Sequence, residues 1–231
     1  MAGENREVRL SPMRRVIADR MCASLAQTAQ YTLSREIEID GMLDYISEQK
    51  QAGKNYKFMH VLIKVCATLL KEHDKLNATI VEKMLRYHGA VNMGVAVAMT
   101  EGLVVPVIKG VDDMSVDQII EAYTAIVPKA KNGKLTADDM SGGTFTISNL
   151  GMAGIDAFTP VINYPEAAIL GVGRTNDRVV FGEGDKLERR KTVIFSLTLD
   201  HRIVDGYVGA MFLEALAQTL GDKEKTRAAV E

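Results

Sequence analysis

The sequence predicts one α/β domain in which a mostly continuous sheet is packed by helices. Stretches with apolar residues at helical spacing are interspersed with stretches in which apolar and polar residues alternate, as they do in strands. The composition, 47% hydrophobic and 25% charged, is that of an ordinary globular domain. The 231 residues contain no internal repeat, low-complexity tract or interior linker.

The first half of the chain opens with a polar stretch, residues 1–8, that we expect to be a flexible lead-in. Ser11 can cap free helix amides, Pro12 suits a first helical position, and apolar residues then follow at helical spacing as far as Leu25. The pattern next predicts a strand over 31–40, helices over 43–51 and 58–72, and strands over 78–81, 91–99 and 103–108.

The second half begins with an amphipathic helix predicted over 113–130, which Pro128 should kink or end early. Strands are then expected over 144–148, 167–172, 178–181 and 191–200, and a helix over about 205–220 closes the domain.

Charge and composition exclude several classes of partner. The net charge of −2, with both signs mixed along the chain, argues against nucleic acid, and no apolar stretch is long enough to cross a bilayer. The N-terminus has no apolar core and is not a secretory signal. Cys22 and Cys66 fall in predicted helices, so we expect two reduced, buried thiols and a cytoplasmic (bacterial) or organelle-matrix setting.

A histidine at the end of the last predicted strand is the leading candidate for chemistry. The alternation of residues 193–199 places His201 on the apolar side, half desolvated, and Asp205 follows four residues later at the start of a helix. Neutral imidazole, with a pKa of about 6.5, can take a proton from a weak acid such as a thiol. The pattern alone leaves a purely structural histidine equally open. His60, His73 and His88 have no comparable context, and no spacing indicates a metal site.

A second candidate is Ser148, which ends a predicted strand bracketed by glycines. Its hydroxyl could donate to a developing oxyanion. From spacing alone, the favoured reading is an ordinary serine on an exposed strand face. The glycines Gly171 and Gly173 are not a dinucleotide fingerprint, because a third glycine and a following helix are missing.

Several ordered motifs resemble one family. DHRIVDG, residues 200–206, resembles the DHRxxDG signature of the dihydrolipoamide acyltransferases, the core subunits of 2-oxo acid dehydrogenase complexes. The resemblance extends to SPMRRVIADRM (11–21), GGTFTISNLG (142–151), FTPVIN (158–163) and PEAAILGVGR (165–174). The broader HxxxDG form is shared with chloramphenicol acetyltransferase. The resemblance therefore implies a chloramphenicol acetyltransferase-like two-layer sandwich with a mixed sheet packed by helices.

The same resemblance implies roles for individual residues. His201 matches the catalytic base, and Ser148 matches an oxyanion-stabilising hydroxyl that a different subunit supplies. Asp205 matches a carboxylate that holds the corner by pairing with an arginine near the N-terminus, for which Arg14 is the best match and Arg15 the fallback. Asn163 falls where the family has a polar residue near the reacting centre.

The implied function is acyl transfer between the thiols of dihydrolipoamide and coenzyme A in a ternary complex. Acetyl is the first choice of acyl group, from the likeness of TISNLGM to acetyl-transferring members. The implied assembly is a homotrimer that builds a larger cage and works with the decarboxylase and dihydrolipoamide dehydrogenase components. No metal is expected.

The chain departs from full-length members of this family in two respects. The lipoyl and partner-binding domains of such members have no counterpart in the sequence, so 9–231 is expected to be a single catalytic domain, and the lipoyl group would be carried elsewhere. Tyr164 stands where many members have a small residue or proline. Two alternatives stay open: a stand-alone coenzyme A acyltransferase acting on an alcohol or amine, and a non-catalytic scaffold.

Overall fold

The structure, a computed structural model, describes residues 5–99 and 102–231. Within them lie the helices α1 (Pro12–Gln27), α2 (Asp40–Gln51), α3 (Phe58–Glu72), α4 (Val116–Lys131), α5 (Gly206–Gly221) and α6 (Lys223–Val230). The strands are β1 (Gln30–Glu38), β2 (Ala78–Val81), β3 (Met84–Tyr87), β4 (Met93–Val95), β5 (Val97–Met99), β6 (Gly102–Val104), β7 (Val107–Ile108), β8 (Phe145–Asn149), β9 (Ala168–Phe181) and β10 (Leu187–Asp200).

Six of these strands form one mixed sheet in the order β1-β10-β9-β8-β4-β7. Strands β1, β10 and β9 are antiparallel neighbours, whereas β8 runs parallel to both β9 and β4. The remaining strands form two hairpins, β2–β3 and β5–β6.

The helices other than α1 cover one face of the sheet. Phe212 of α5 lies against Phe145 of β8, with ring centroids 6.1 Å apart. A Cβ atom at Gly209 would lie 2.3 Å from Cδ1 of Leu199, so glycine is what allows α5 to approach β10 this closely. Helix α3 packs against α2, α4, α5 and α6, as its nearly all-round apolar character predicted. The predicted two-layer α/β class is confirmed.

The opposite face of the sheet is also covered, by the segment 155–166 and the end of α1. A Cβ at Gly173 would lie 1.9 Å from the carbonyl oxygen of Asp156, and a Cβ at Gly171 would lie 3.0 Å from the ring of Phe158. The two glycines that resembled part of a nucleotide motif therefore serve close packing. Because of this cover, Ser148 is only 8% exposed, and the reading of it as an ordinary serine on an exposed face is wrong.

Most predicted elements are present, with several boundary changes. Helix α3 and strand β2 have the predicted bounds, and Ser11 caps α1 by accepting a hydrogen bond from the Arg14 amide. The stretches 91–99 and 103–108 each divide into two strands, while 167–172 and 178–181 join in β9. Strand β3 and helix α6 were not predicted.

Pro128 does not end its helix early, contrary to one of the two expected effects. Helix α4 continues through it to Lys131, and the Asn132 amide donates to the Pro128 carbonyl. The proline is exposed in the last turn, and Thr124, whose carbonyl loses its helical donor, is exposed as well. Water can reach that carbonyl, so the missing hydrogen bond costs little.

The expected burial of both thiols was half right. Cys66 is buried in α3, but Cys22 is exposed because Ser24 is the single buried residue of α1. The expected lead-in over 1–8 falls partly outside the described residues, and residues 5–11 form no helix or strand. No described helix is long and apolar enough to cross a bilayer.

Candidate active site

The candidate site is a corner where β10 ends and the chain turns into α5. The His201 amide donates to the carbonyl of Ala29, 2.9 Å away, at the junction between α1 and β1. The amides of Ile203 and Val204 both donate to the carbonyl of Asp200. The backbone on either side of the histidine is therefore held by hydrogen bonds.

The imidazole of His201 is half exposed and rests on an aromatic ring. Its side chain is 54% exposed, and its centroid lies 4.7 Å from that of Tyr31. The hydroxyl of Tyr31 donates to the carbonyl of Val204, which fixes the supporting ring. The predicted half-desolvated position at the strand end is confirmed.

Asp205 is the carboxylate nearest to the imidazole. Its Oδ1 lies 3.9 Å from Nδ1 of His201, which is ion-pair range but too long for a hydrogen bond. Its side chain is 72% exposed. Burial, followed by the negative charge of Asp205, raises the pKa of the Tyr31 hydroxyl above its ordinary value.

Sequence reasoning missed the second carboxylate of the corner, Asp200. Its side chain is 1% exposed and accepts from the Ala29 amide and from the backbone and guanidinium of Arg202, whose Nη2 lies 2.6 Å from Oδ2. Alternation placed Asp200 on the side of the strand opposite the core. Nothing in the pattern indicated that the segment 155–166 buries that side.

Ser148 lies in a different part of the same chain. Ser148 of β8 pairs with Gly171 of β9, which in turn pairs with Ser196 of β10. Ser148 is therefore level with Ser196, five positions before His201. That offset is roughly 17 Å along β10, and β8 lies two strands away, roughly 10 Å to the side. Ser148 also belongs to the face away from the helices, whereas Tyr31 pairs with Leu199 on the helix-facing side. One chain does not bring Ser148 and His201 together.

Asn163 lies on the same face as Ser148 and contacts a buried acid. Its Nδ2 donates to Oε1 of Glu166 at 2.7 Å, and Oε2 accepts from the Thr146 hydroxyl at 2.6 Å. Thr146 and Ser148 project from the same side of β8. Burial raises the pKa of Glu166 to about 7.

Arg14 lies beside the β5–β6 hairpin. A Cβ atom at Gly102 would lie 3.8 Å from its Nη2. The described ion-pair partner of Asp205 is His201, so the expected pairing of Arg14 with Asp205 stays a prediction.

Taken together, the corner offers a fixed, half-exposed imidazole that can exchange a proton with a bound group. Ser148 and Asn163 offer a hydroxyl and an amide on a second, separate surface. The two surfaces would complete one site if they faced each other across a subunit contact.

Comparison with known proteins identifies the family of the chain. Residues 2–227 match the family described as 2-oxoacid dehydrogenases acyltransferase (catalytic domain). The chain is 34% identical to the dihydrolipoyllysine-residue acetyltransferase component of the acetoin cleaving system of Bacillus subtilis, over 91% of this chain and 54% of that protein. It is 37% identical to the succinyltransferase component of the 2-oxoglutarate dehydrogenase complex of Rickettsia typhi, over 94% and 56%. The chain thus spans about half the length of these relatives.

Solved structures give the same result. The dihydrolipoamide acetyltransferase of Azotobacter vinelandii superposes with a TM-score of 0.90 at 33% identity, covering 100% of this chain and 96% of that one. The cubic core of a pyruvate dehydrogenase multienzyme complex gives 0.89 at 33% identity, with the same coverage. A chloramphenicol acetyltransferase, at 0.50 and 15% identity, shares the fold. The chain belongs to the family of 2-oxoacid dehydrogenase acyltransferase catalytic domains.

Proposed function

We propose that this chain is the catalytic core of a dihydrolipoamide acyltransferase, which moves an acyl group between the thiols of dihydrolipoamide and coenzyme A. Family membership sets the reaction class. The observation that carries the proposal for this chain is the placement of His201, half exposed and held by its backbone at a strand end.

In the proposed reaction His201 acts as a general base. Its neutral imidazole takes the proton from the attacking thiol as the sulfur bonds to the thioester carbon. The carbonyl oxygen becomes an oxyanion, which a hydroxyl such as that of Ser148 stabilises. When the intermediate collapses, the carbon–sulfur bond to the first thiol breaks and His201 returns the proton to the departing sulfur. No acyl-enzyme is needed, because one thiol replaces the other directly.

We further propose that His201 and Ser148 of each active site come from different subunits. The separation within one chain, roughly 20 Å and on opposite faces of the sheet, is far beyond hydrogen-bond reach. A homotrimer with the site at each contact satisfies both requirements. Likeness to the cubic core of a pyruvate dehydrogenase complex supports assembly into a larger cage.

Asp205 is proposed to position His201 rather than to relay its proton. The distance of 3.9 Å and the exposure of 72% fit an electrostatic and steric role. The Azotobacter vinelandii enzyme was studied for the roles of a serine, a histidine and an asparagine in catalysis, and the last two are four positions apart, like His201 and Asp205. An amide at this position suggests that a carboxylate is not required there.

Acetyl is the proposed acyl group, on the likeness of residues 146–152 to acetyl-transferring members. Relatives that transfer acetyl and succinyl have similar identities, so overall likeness does not distinguish the two. The proposed partners are a 2-oxo acid decarboxylase and dihydrolipoamide dehydrogenase, with the lipoyl group supplied on a separate lipoyl domain.

The test is acyl transfer from acetyl-coenzyme A and succinyl-coenzyme A to free dihydrolipoamide, measured as thioester formation. Transfer is expected with the wild-type chain and is expected to fall by about a hundredfold or more in His201→Ala. His88→Ala is the matched control. If only alcohols or amines accept the acyl group, the proposal fails in favour of a stand-alone acyltransferase.

A further inference from the structure

Glu166 is a buried acid on the surface that carries Ser148. Its side chain is almost fully covered, with the residue 1% exposed. Both of its described hydrogen bonds are to neutral groups, the hydroxyl of Thr146 and the amide of Asn163. An ionisable group in this position needs a reason, because a buried charge is costly without compensation.

The surroundings make room for this carboxyl. A Cβ atom at Gly143 would lie 2.8 Å from Oε1 of Glu166, and a Cβ at Gly94 would lie 2.5 Å from Oγ1 of Thr146. Alanine at either position would crowd the hydrogen-bonded pair. The backbone of Glu166 is fixed as well, through a bridge to Thr79 and a hydrogen bond to the carbonyl of Asn163.

We propose that Glu166 is a positioning residue for acyl transfer, tying the segment of Asn163 to β8 so that Asn163 and Ser148 keep a fixed spacing. This inference rests on the proposed function. Thr146, the anchor on β8, is two residues from Ser148 on the same side of the strand, which is about 7 Å. If the carboxyl of Glu166 lost these hydrogen bonds, the side chain of Asn163, that of Ser148, or both would therefore shift.

Glu166 can make its hydrogen bonds to Thr146 and Asn163 whether its carboxyl is protonated or ionised. The carboxylate accepts from Thr146 and Asn163 as described. When Oε2 is protonated it can donate to the Thr146 hydroxyl, which also accepts, and the bond from Asn163 is unchanged. Burial favours the protonated form, and Arg20 of α1 is the charged group that favours the carboxylate.

The two states differ in charge close to the proposed oxyanion. A carboxylate about 7–10 Å from that oxyanion would oppose its formation and slow transfer by roughly 20- to 50-fold at an effective dielectric constant near 20. Transfer by the wild-type protein should then decline as pH rises through about 7.

Glu166→Gln isolates this effect because glutamine reproduces the protonated pattern. Its Nε2 can donate to Thr146 while Oε1 accepts from Asn163. Glu166→Ala removes both bonds, and Glu72→Gln, at an exposed position, is the matched control. Each protein is assayed for kcat and KM from pH 5.5 to 9, and the infrared carbonyl band of a protonated carboxyl is followed over the same range.

The expected results differ among the variants. Glu166→Gln should match the wild-type kcat at low pH and exceed it by roughly 20- to 50-fold at high pH. It should also lack the infrared carbonyl band that titrates in the wild type. Glu166→Ala should lose about tenfold or more in kcat with KM for coenzyme A nearly unchanged. Full kcat in a folded Glu166→Ala, or a loss in Glu166→Gln as large as that in Glu166→Ala, would overturn the inference. An inactive wild-type protein would instead overturn the proposed function, and the inference with it.

Discussion

Activity should be restored when two inactive variants of this chain are assembled together. In His201→Ala the serine surface is intact, and in Ser148→Ala the histidine corner is intact. If each site combines His201 of one subunit with Ser148 of its neighbour, a mixed assembly contains some sites in which both residues are present. The prediction follows from the separation of the two side chains, which face away from each other in one chain.

The expected recovery can be worked out from this arrangement. With equal amounts and random mixing, a site has about a one-half chance of an intact histidine and, independently, about a one-half chance of an intact serine, so about a quarter of the sites are complete. Each variant alone should lose about a hundredfold or more in activity, the first through loss of the base and the second through loss of the oxyanion donor, which is worth roughly 3 kcal/mol. A recovery to about a quarter of wild-type activity therefore stands well above either background.

The assay uses co-expression of the two variants with different tags, sequential purification of mixed assemblies, and measurement of transfer to dihydrolipoamide. Separately purified variants combined without exchange of subunits provide the control, and they should stay inactive. If purified mixed assemblies are no more active than the separate variants, the two residues act in one chain or Ser148 has no catalytic role. Either outcome refutes the proposed shared site.

Three further predictions concern stability. Arg202→Ala should destabilise the chain by about 3 kcal/mol, because it leaves the buried carboxylate of Asp200 without its cation. Asp200→Asn should cost only about 1 kcal/mol, because the guanidinium of Arg202 is 40% exposed and can be hydrated. Equal urea midpoints for the two variants would contradict this prediction. The pKa of Glu166 is raised to about 7 from an ordinary 4.5, so this group contributes stability below pH 4.5 that is lost as pH rises through 7. Glutamine does not titrate. In urea titrations the stability of Glu166→Gln relative to wild type should therefore increase by roughly 3 kcal/mol between pH 4.5 and 8. Burial, with a smaller effect of the charge of Lys57, lowers the pKa of His60. The neutral ring therefore contributes stability that is lost as pH falls below about 6.5. His60→Leu lacks this titrating group, so its Tm should fall less than that of the wild type between pH 7 and 5.

Elements whose signals lie in neighbouring residues could be predicted from the sequence. The Ser11 cap, the apolar helix α3 and the strand that ends before His201 all have local patterns, and the structure has them in those places. The half-exposed state of His201 also followed from alternation, since the strand ends just where its side chain would enter the core.

Elements that depend on distant partners could not be predicted. The polar residues 174–177 read as a break between strands, yet β9 runs through them because residues 175–177 pair with β10. Asp177 also accepts a hydrogen bond from Arg189 across the ladder. Helix α6 is polar in sequence, and its place comes from packing on α2, α3 and α5.

The candidate site has the same division between local and distant signals. Glycines and alternation pointed to Ser148, but the burial of its face depends on the segment 155–166, which crosses the sheet from another part of the chain. The contacts of Glu166 join residues twenty positions apart and leave no mark in the spacing.

The two carboxylates that flank His201 show why a motif alone assigns roles incompletely. Asp205, four residues on, is the conspicuous partner in sequence, but it is largely exposed and 3.9 Å from the ring. Asp200 directly precedes the histidine, is fully buried, and joins the Ala29 amide to the guanidinium of Arg202. A base that must give back the proton it takes gains from a fixed position more than from a strong hydrogen bond to a carboxylate, which would hold the proton on the ring. The corner therefore places its strong hydrogen bonds on the backbone beside His201, which suits the proposed exchange of a proton between the imidazole and a thiol.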